Sequence, residues 1–287
     1  MTSLNEDKPE KSKKIEEFFD VLKKKAIYPV FQPIIDLSTG RAMGYEALSR
    51  IATDGISINI EELFCIAEHV GRVWELEKLC RNKALKTAAA KPVGSKLFLN
   101  VDGNVFQDAS FIRGFTNRKA QKAGVPSSDI VFEITERSDI ENYQILQKIM
   151  KHYSDQGYEI ALDDVGSGYS GLNRVVNTSP NYLKADIELV RDIHKSKAKR
   201  IMVEMLLKYC NETGAYLIAE GIETADELSC LCNMGVHYGQ GYYLRRPERE
   251  FKTASSQALA RILEISKPRC RIVATGFFDN GRVQATS

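Results

Sequence analysis

From Lys96 to Gln240 the chain alternates short apolar runs with stretches of helical periodicity, and run after run ends on a polar or charged residue. Lys96–Val101 (KLFLNV) reads as a strand that ends at Asn100. Asp129–Thr135 (DIVFEIT) reads as a strand with Glu133 near its end and Glu136 just beyond. Glu159–Asp163 ends on adjacent carboxylates, Asp163 and Asp164; a turn with Gly166 and Gly168 and then a helical pattern follow. Tyr182–Asp186 (YLKAD) carries Lys184, and Ala215–Glu220 (AYLIAE) ends on Glu220 with Glu223 close behind. A short strand near His237–Gln240 leads into Gly241, Tyr242 and Tyr243. Helical periodicity fills the intervals at about Ile140–Gln156, Lys195–Thr213 and Ala225–Met234. Short apolar runs bounded by turn residues suit buried strands, and apolar residues three or four apart suit helices.

Upstream, Ile15, Phe18, Phe19 and Leu22 predict an amphipathic helix over Lys13–Ala26. Strands are predicted at Ile27–Ile35 and Met43–Ser49, the second carrying Glu46. The turn between them, Leu37–Gly40, is too short for a helical crossover, so the two pair antiparallel. Helices follow at Ile60–Val70 and Val73–Ala90. About eight strands in roughly 250 residues point to an α/β fold, a closed (β/α)8 barrel with one strand reversed. An open doubly wound sheet is the alternative. Residues 1–26 read as a tail and helix, 27–250 as the barrel, and 251–287 as a helix with a hairpin around Asp279-Asn280-Gly281.

In a barrel the carboxyl ends of the strands converge on one face, which is where barrel enzymes hold their sites. Glu46, Asn100, Glu133, Asp163, Asp164 and Glu220 would meet there. Oxygen donors without His or Cys suit a hard divalent ion, Mg2+ or Mn2+, and a carboxylate bridging two ions would make a two-metal hydrolytic centre. Lys184 would hold the attacking water or steady a phosphate; a salt bridge to a barrel acid is its other available role. Chemistry alone thus reaches metal-assisted hydrolysis of a phosphate ester. A rival reading takes Gly166, Gly168 and Gly171 as a dinucleotide fingerprint with Asp186 as the ribose acid. A pyrophosphate on those amides would face Asp163 and Asp164 unscreened.

Composition narrows the classes further. With 40 Lys and Arg against 38 Asp and Glu the net charge is +2, which argues against a nucleic-acid protein driven by bulk charge. No apolar run is long enough to span a bilayer. Six cysteines without a framework spacing suit reduced thiols and a cytoplasmic setting. Cys230 and Cys232 read as small hydrophobes on different helix faces, and four histidines without paired spacing do not support a zinc hydrolase.

Several motifs in order resemble the EAL-domain phosphodiesterases, which hydrolyse cyclic di-GMP to linear pGpG. They are Gln32-Pro33-Ile34, Glu46-Ala47-Leu48-Ser49-Arg50, Asn100 in LFLNV, Glu133 and Glu136 in EITE, and Asp163-Asp164 with its glycine turn. Lys184 in LKAD, Ala219-Glu220-Gly221-Ile222-Glu223-Thr224 and Gln240-Gly241-Tyr242 complete the set. The resemblance implies that Glu46, Asn100, Glu133 and Asp163 hold a first ion, and that Asp163, Asp164 and Glu220 hold a second. Lys184 would contact the attacking water, Glu220 would be the general base, and Gln32, Arg50 and Gln240 would bind substrate. Glu136 and Glu223 would support the aspartate turn and Lys184 respectively. It also implies a homodimer through the helix after that turn, with a regulatory partner acting on the turn. A degenerate, non-catalytic cyclic di-GMP-binding module is the alternative within the family. Val165, Ser167, Gly171, Ser49 and Ala185 stand where the family often has Phe, Thr, Ser, Leu and Ile; none is a metal ligand.

Overall fold

A computed structural model describes residues 8–52, 55–103, 105, 108, 110–134, 143–166 and 171–266. Glu136, Ser167, Gly168 and the stretch around Asp279-Asn280-Gly281 lie outside the described residues. Eight strands close into one barrel in sequence order. They are β1 (Ile27–Asp36), β2 (Ala42–Ile51), β3 (Lys96–Val101), β4 (Ile130–Ile134), β5 (Glu159–Val165), β6 (Tyr182–Ala185), β7 (Tyr216–Ala219) and β8 (Tyr238–Gly239). β1 runs antiparallel to both β2 and β8, and every other neighbouring pair is parallel. The reversed strand follows from its turn. Asp36 Oδ1 accepts from the backbone N–H of Ser38 at 2.8 Å and of Thr39 at 3.0 Å, closing a loop with no room for a crossover helix.

The closed barrel excludes the open sheet, and with it the dinucleotide reading. Asp186, its supposed ribose acid, spends its carboxylate on capping a short helix, α7 (Ile187–Val190), by accepting from Glu188 N–H at 2.7 Å. The predicted helices are present as α1 (Lys8–Lys24), α2 (Ile60–His69), α3 (Val73–Ala88), α5 (Tyr143–Ser154), α8 (Lys197–Thr213), α9 (Ala225–Met234) and α10 (Ser256–Ser266). α6 (Gly171–Thr178) follows the aspartate turn. A further helix, α4 (Phe115–Ala123), escaped the sequence reading: its sequence, FTNRKAQKA, has too few apolar residues to show a period. Gly114 and Gly124, both left-handed, bound it. Among the described residues no helix is long and apolar enough to cross a membrane.

Strand alternation sorts the core into layers. Leu97, Leu99, Val101, Phe132, Ile134, Ile160 and Leu162 point outward into the main core between barrel and helices. Ile34, Phe98, Val131, Ala161, Tyr182 and Ile218 point inward and plug the barrel. A third cluster joins α1 to the free end of the β1–β2 hairpin: Phe18 and Val21 pack with Ile27, Ile58, Leu63 and Leu76. Burying Phe18 contributes about 1.5–3 kcal/mol. Glu17, also on α1, accepts from Ser57 N–H at 2.8 Å and Ile58 N–H at 3.3 Å, which ties the loop after β2 to the helix. Cys230 and Cys232 do not share a site; Cys230 Sγ lies 3.8 Å from Met234 Sδ and Cys232 Sγ 3.7 Å from Leu37 O.

Two loops meet tightly beside β8. Ile222 N–H donates to Gln240 O at 3.0 Å and Tyr243 N–H donates to Ile222 O at 3.0 Å. Gly241 lies between them with φ +157°, and a Cβ there would fall 2.2 Å from Ile222 N and O. Gly241→Ala is therefore expected to lower stability by about 2–4 kcal/mol. Gly71→Ala, at φ +67° but with nothing within 4 Å, is expected to cost only about 1 kcal/mol. Urea unfolding of both variants checks this; equal losses would refute the close approach as the cause.

Candidate active site

Two residues along from the inward apolar layer, each strand presents its next inward side chain, and all eight are polar. They are Gln32 from β1, Glu46 from β2, Asn100 from β3, Glu133 from β4, Asp163 from β5 and Lys184 from β6; Glu220 and Gln240 extend β7 and β8 by one residue. The ladder reaches these last two, since Glu220 N–H donates to Ala185 O at 3.0 Å and Gln240 N–H to Ala219 O at 2.8 Å. The ring is thus a product of period-two alternation in a closed sheet.

Lys184 is its hub. Its Nζ lies 2.7 Å from Glu133 Oε1, 2.8 Å from Glu220 Oε1, 3.0 Å from Asp163 Oδ1 and 3.9 Å from Glu46 Oε2. The side chain is 1% exposed. Burial works against its charge, but Asp163, Glu133, Glu220 and Glu46 together hold its pKa well above the usual lysine value. A second set of contacts closes the ring on the other side. Gln240 Nε2 donates to Glu46 Oε2 at 2.6 Å and to Gln32 Oε1 at 3.0 Å, while Gln32 Nε2 donates to Arg245 O at 3.1 Å. Asn100 Nδ2 donates to Glu46 Oε1 at 3.0 Å.

Asp163 and Asp164 are neighbours in sequence, so a regular strand would send them to opposite faces. The structure avoids this with a register shift in the β5–β6 pairing between Leu162 and Val165 and a left-handed backbone at Asp164, φ 56°. A left-handed non-glycine residue carries strain, of the kind concentrated at functional sites. Here it brings Asp163, Asp164 and Glu220 together, with one carboxylate oxygen from each lying within 4.8 Å of the others.

Five carboxylates face one ammonium, an excess of four negative charges when all are ionised. Burial pushes Glu133 well above the ordinary carboxylate range; Glu46 and Asp163 add to the rise and Lys184 opposes it. Glu220 is raised in the same way, by burial first, with Lys184 opposing and Asp163 and Glu46 adding. Glu133 is fully buried, and its Oε2 has no hydrogen-bond partner among the described residues; neither has Gln240 Oε1. Buried acceptors are rarely left unpaired. Oxygen donors, orphaned acceptors and an excess of four negative charges together fit two divalent cations such as Mg2+ or Mn2+.

The remaining residues picked out from sequence lie differently. Arg50 lies near the end of β2, half-buried, with its guanidinium donating to Ser49 O at 2.8 Å rather than touching the ring. Glu223 is exposed, and its backbone N–H donates to Glu227 at 3.0 Å. Three buried acids went unnoticed in the sequence: Glu17, described above, Glu227 and Glu77. Glu227 accepts from the N–H groups of Asp192, Glu223 and Thr224 at 2.9, 3.0 and 2.9 Å, bracing the loop that follows Glu220. Its signal was the capping pattern Thr224-x-x-Glu227. Glu77 pairs with Arg81 at 2.6 Å behind β3, and an i, i+4 acid–base pair on an apolar helix face was its only trace.

The raised Glu133 pKa has a consequence for stability. With its folded value above the ordinary 4.5, metal-free protein holds that proton more tightly than the unfolded chain does. Its contribution to stability therefore falls as pH rises above about 4.5. Glu133→Gln removes this dependence. With chelator present, the variant is expected to be more stable than the parent chain above about pH 5, by a margin that widens as pH rises. Saturating Mn2+ is expected to reverse the order. Urea unfolding measures both, and parallel pH curves would contradict the assignment.

The chain is 29% identical over 222 residues to the cyclic di-GMP phosphodiesterase PA2567 of Pseudomonas aeruginosa, covering 76% of this chain and 38% of that protein. It is 25% identical over 259 residues to the probable cyclic di-GMP phosphodiesterase PdeG of Escherichia coli, covering 86% and 48% respectively. It therefore spans less than half the length of either relative. Among solved structures, a standalone EAL protein from Vibrio cholerae with cyclic di-GMP bound superposes with a TM-score of 0.70 at 29% identity, covering 81% of this chain and 97% of that one. The manganese and cyclic di-GMP complex of Klebsiella pneumoniae BlrP1 superposes with a TM-score of 0.68 at 29% identity, covering 78% and 56%. The family model described as EAL domain matches residues 15–247, and the chain belongs to that family.

Proposed function

We propose that this chain is a phosphodiesterase that opens cyclic di-GMP to linear pGpG with the help of two divalent ions, Mg2+ or Mn2+. The observation that carries this reading is the polar ring, with Asp163, Asp164 and Glu220 gathered at one point and Glu133 Oε2 left without a hydrogen-bond partner among the described residues. A module that only binds the dinucleotide would not need five carboxylates kept together at a cost in stability. Relatives of known structure bind cyclic di-GMP.

In this reading Glu46, Asn100, Glu133 and Asp163 hold one ion, and Asp163, Asp164 and Glu220 the other. When bound, the ions lower the pKa of a coordinated water and neutralise charge developing on the phosphoryl oxygens. The chain supplies the rest. Lys184 Nζ, free to turn from its carboxylates once cations balance them, holds the attacking water and faces the phosphate. Glu220 takes the proton from that water. Gln32 and Gln240, locked to each other and to Arg245 O, present amides to the substrate, and the Arg50 fork swings from Ser49 O to a phosphate. Water oxygen adds to phosphorus, one P–O3′ bond breaks, and the proton taken by Glu220 is passed on to the leaving O3′, giving a 5′-phosphate and a 3′-hydroxyl. The same reading gives Glu223 the support of Lys184 and Glu136, which lies outside the described residues, that of the aspartate turn.

The same reading includes a cytoplasmic homodimer joined through α6, where Val176 is 70% exposed, with a regulatory partner acting on the neighbouring turn. It divides the chain into residues 1–26, the barrel at 27–250 and an extension at 251–287. Incubating the purified chain with cyclic di-GMP and Mg2+ or Mn2+, then separating products by chromatography, tests the activity. Linear pGpG is expected with metal and none with chelator. Lys184→Ala is expected to slow turnover by about 100-fold or more while cyclic di-GMP still binds. Binding without turnover at either metal would replace the enzyme by a binding module.

A further inference from the structure

Most of the ring is buried, but Asn100 is exposed at the open end of β3 and reaches the ring through one contact, Nδ2 to Glu46 Oε1 at 3.0 Å. Its place therefore rests largely on the backbone beneath it. The β3–β4 ladder ends at the pair Val101 and Ile134, one residue after Asn100 and Glu133. The next amide is Asp102 N–H, and it donates not to the sheet but to Glu77 Oε1 of α3 at 2.6 Å. Glu77 Oε2 accepts from Arg81 at 2.6 Å, and both side chains are 4% exposed. Arg81 is fixed in turn by Thr116 Oγ1 at 3.1 Å, and its guanidinium lies 5.1 Å from the centre of the Phe132 ring. Phe132 immediately precedes Glu133. One buried ion pair therefore touches the backbone two residues after Asn100 and the side chain one residue before Glu133, from outside the barrel.

A buried pair of this kind is a poor stabiliser, because desolvation takes back most of its attraction and apolar replacements of equal volume are often neutral or better. Stability alone does not account for it. We infer that Glu77, held by Arg81, is a positioning residue: it anchors the chain just past the end of the β3 ladder and so keeps Asn100 in register with Glu133 and within reach of Glu46 for metal binding. This rests on the ring being a metal site.

Three proteins test it. Glu77→Met with Arg81→Met removes the pair and leaves Asp102 N–H without this acceptor. Glu77→Gln with Arg81→Met also removes the charges and the guanidinium contacts, but its amide oxygen still accepts from Asp102. Both double variants are expected to unfold in urea near the parent chain. Mn2+ affinity, read by electron paramagnetic resonance, is expected to fall about tenfold in the Met/Met protein and to return to within about twofold of the parent in the Gln/Met protein. Equal affinity in the two doubles would overturn the inference alone, whereas a parent chain that takes up no Mn2+ would overturn the metal reading as well. If the Met/Met protein does not fold, the parent chain suffices. Coupling is reciprocal, so saturating Mn2+ should slow hydrogen exchange at Asp102 N–H about tenfold, and an unchanged rate would refute the role.

Discussion

The structure depends on the balance between one buried ammonium and the carboxylates around it. Lys184 contacts Glu133, Asp163 and Glu220 within 3.0 Å, and without it three acids from three strands would repel at close range. A lone ammonium does not neutralise them all. The protein is left with surplus negative charge in a low-dielectric setting, where burial lifts Glu133 and Glu220 toward their protonated forms. The apolar layers on both sides of the sheet, led by Phe98, Phe132 and Trp74, supply the stability that this arrangement gives up. Stability yielded at a site in this way is common where function requires charge. Divalent cations are the natural complement of that surplus charge.

Much of this was legible in the sequence because strand alternation is simple. Ile34 and Gln32, Phe98 and Asn100, Val131 and Glu133, Ala161 and Asp163, Tyr182 and Lys184, and Ile218 and Glu220 are each two residues apart. A reader who recognises the strands obtains the ring. The adjacency of Asp163 and Asp164 breaks that rule, and nothing local announces the left-handed residue and shifted register that reconcile them. Likewise, Glu77 and Arg81 look like a solvated helix pair until Trp74, Phe132 and Asp102 close around them. Spacing shows which residues share a helix face, but not which face the barrel covers. The glycine pattern after Asp164 is ambiguous for a related reason: Gly166, Gly168 and Gly171 fit a phosphate loop in one dimension, the charge of Asp163 and Asp164 speaks against it, and barrel closure decides.

The same bulge links the site to the helix layer. Val165 pairs with Ala185 directly beyond the shift and is 3% exposed, so the residue after the aspartates is a core residue. Gly166 follows at φ +108°, where a Cβ would meet Leu189 at 2.4 Å. A change in how this short segment packs would act on Asp163 and Asp164 with little slack. On the opposite side, the Glu17 contacts bind α1 to the loop after β2, the strand that carries Glu46 and Arg50. Each half of the site is thus backed by an element outside the barrel sheet.

The most direct test is diffraction from crystals soaked in Mn2+, with data collected at the manganese absorption edge. The account predicts two anomalous peaks about 3.5–4 Å apart, both touching Asp163, one beside Glu46, Asn100 and Glu133 and the other beside Asp164 and Glu220. Saturating Mn2+ with no peak inside the ring, and Lys184 still bound to its three carboxylates, would contradict it.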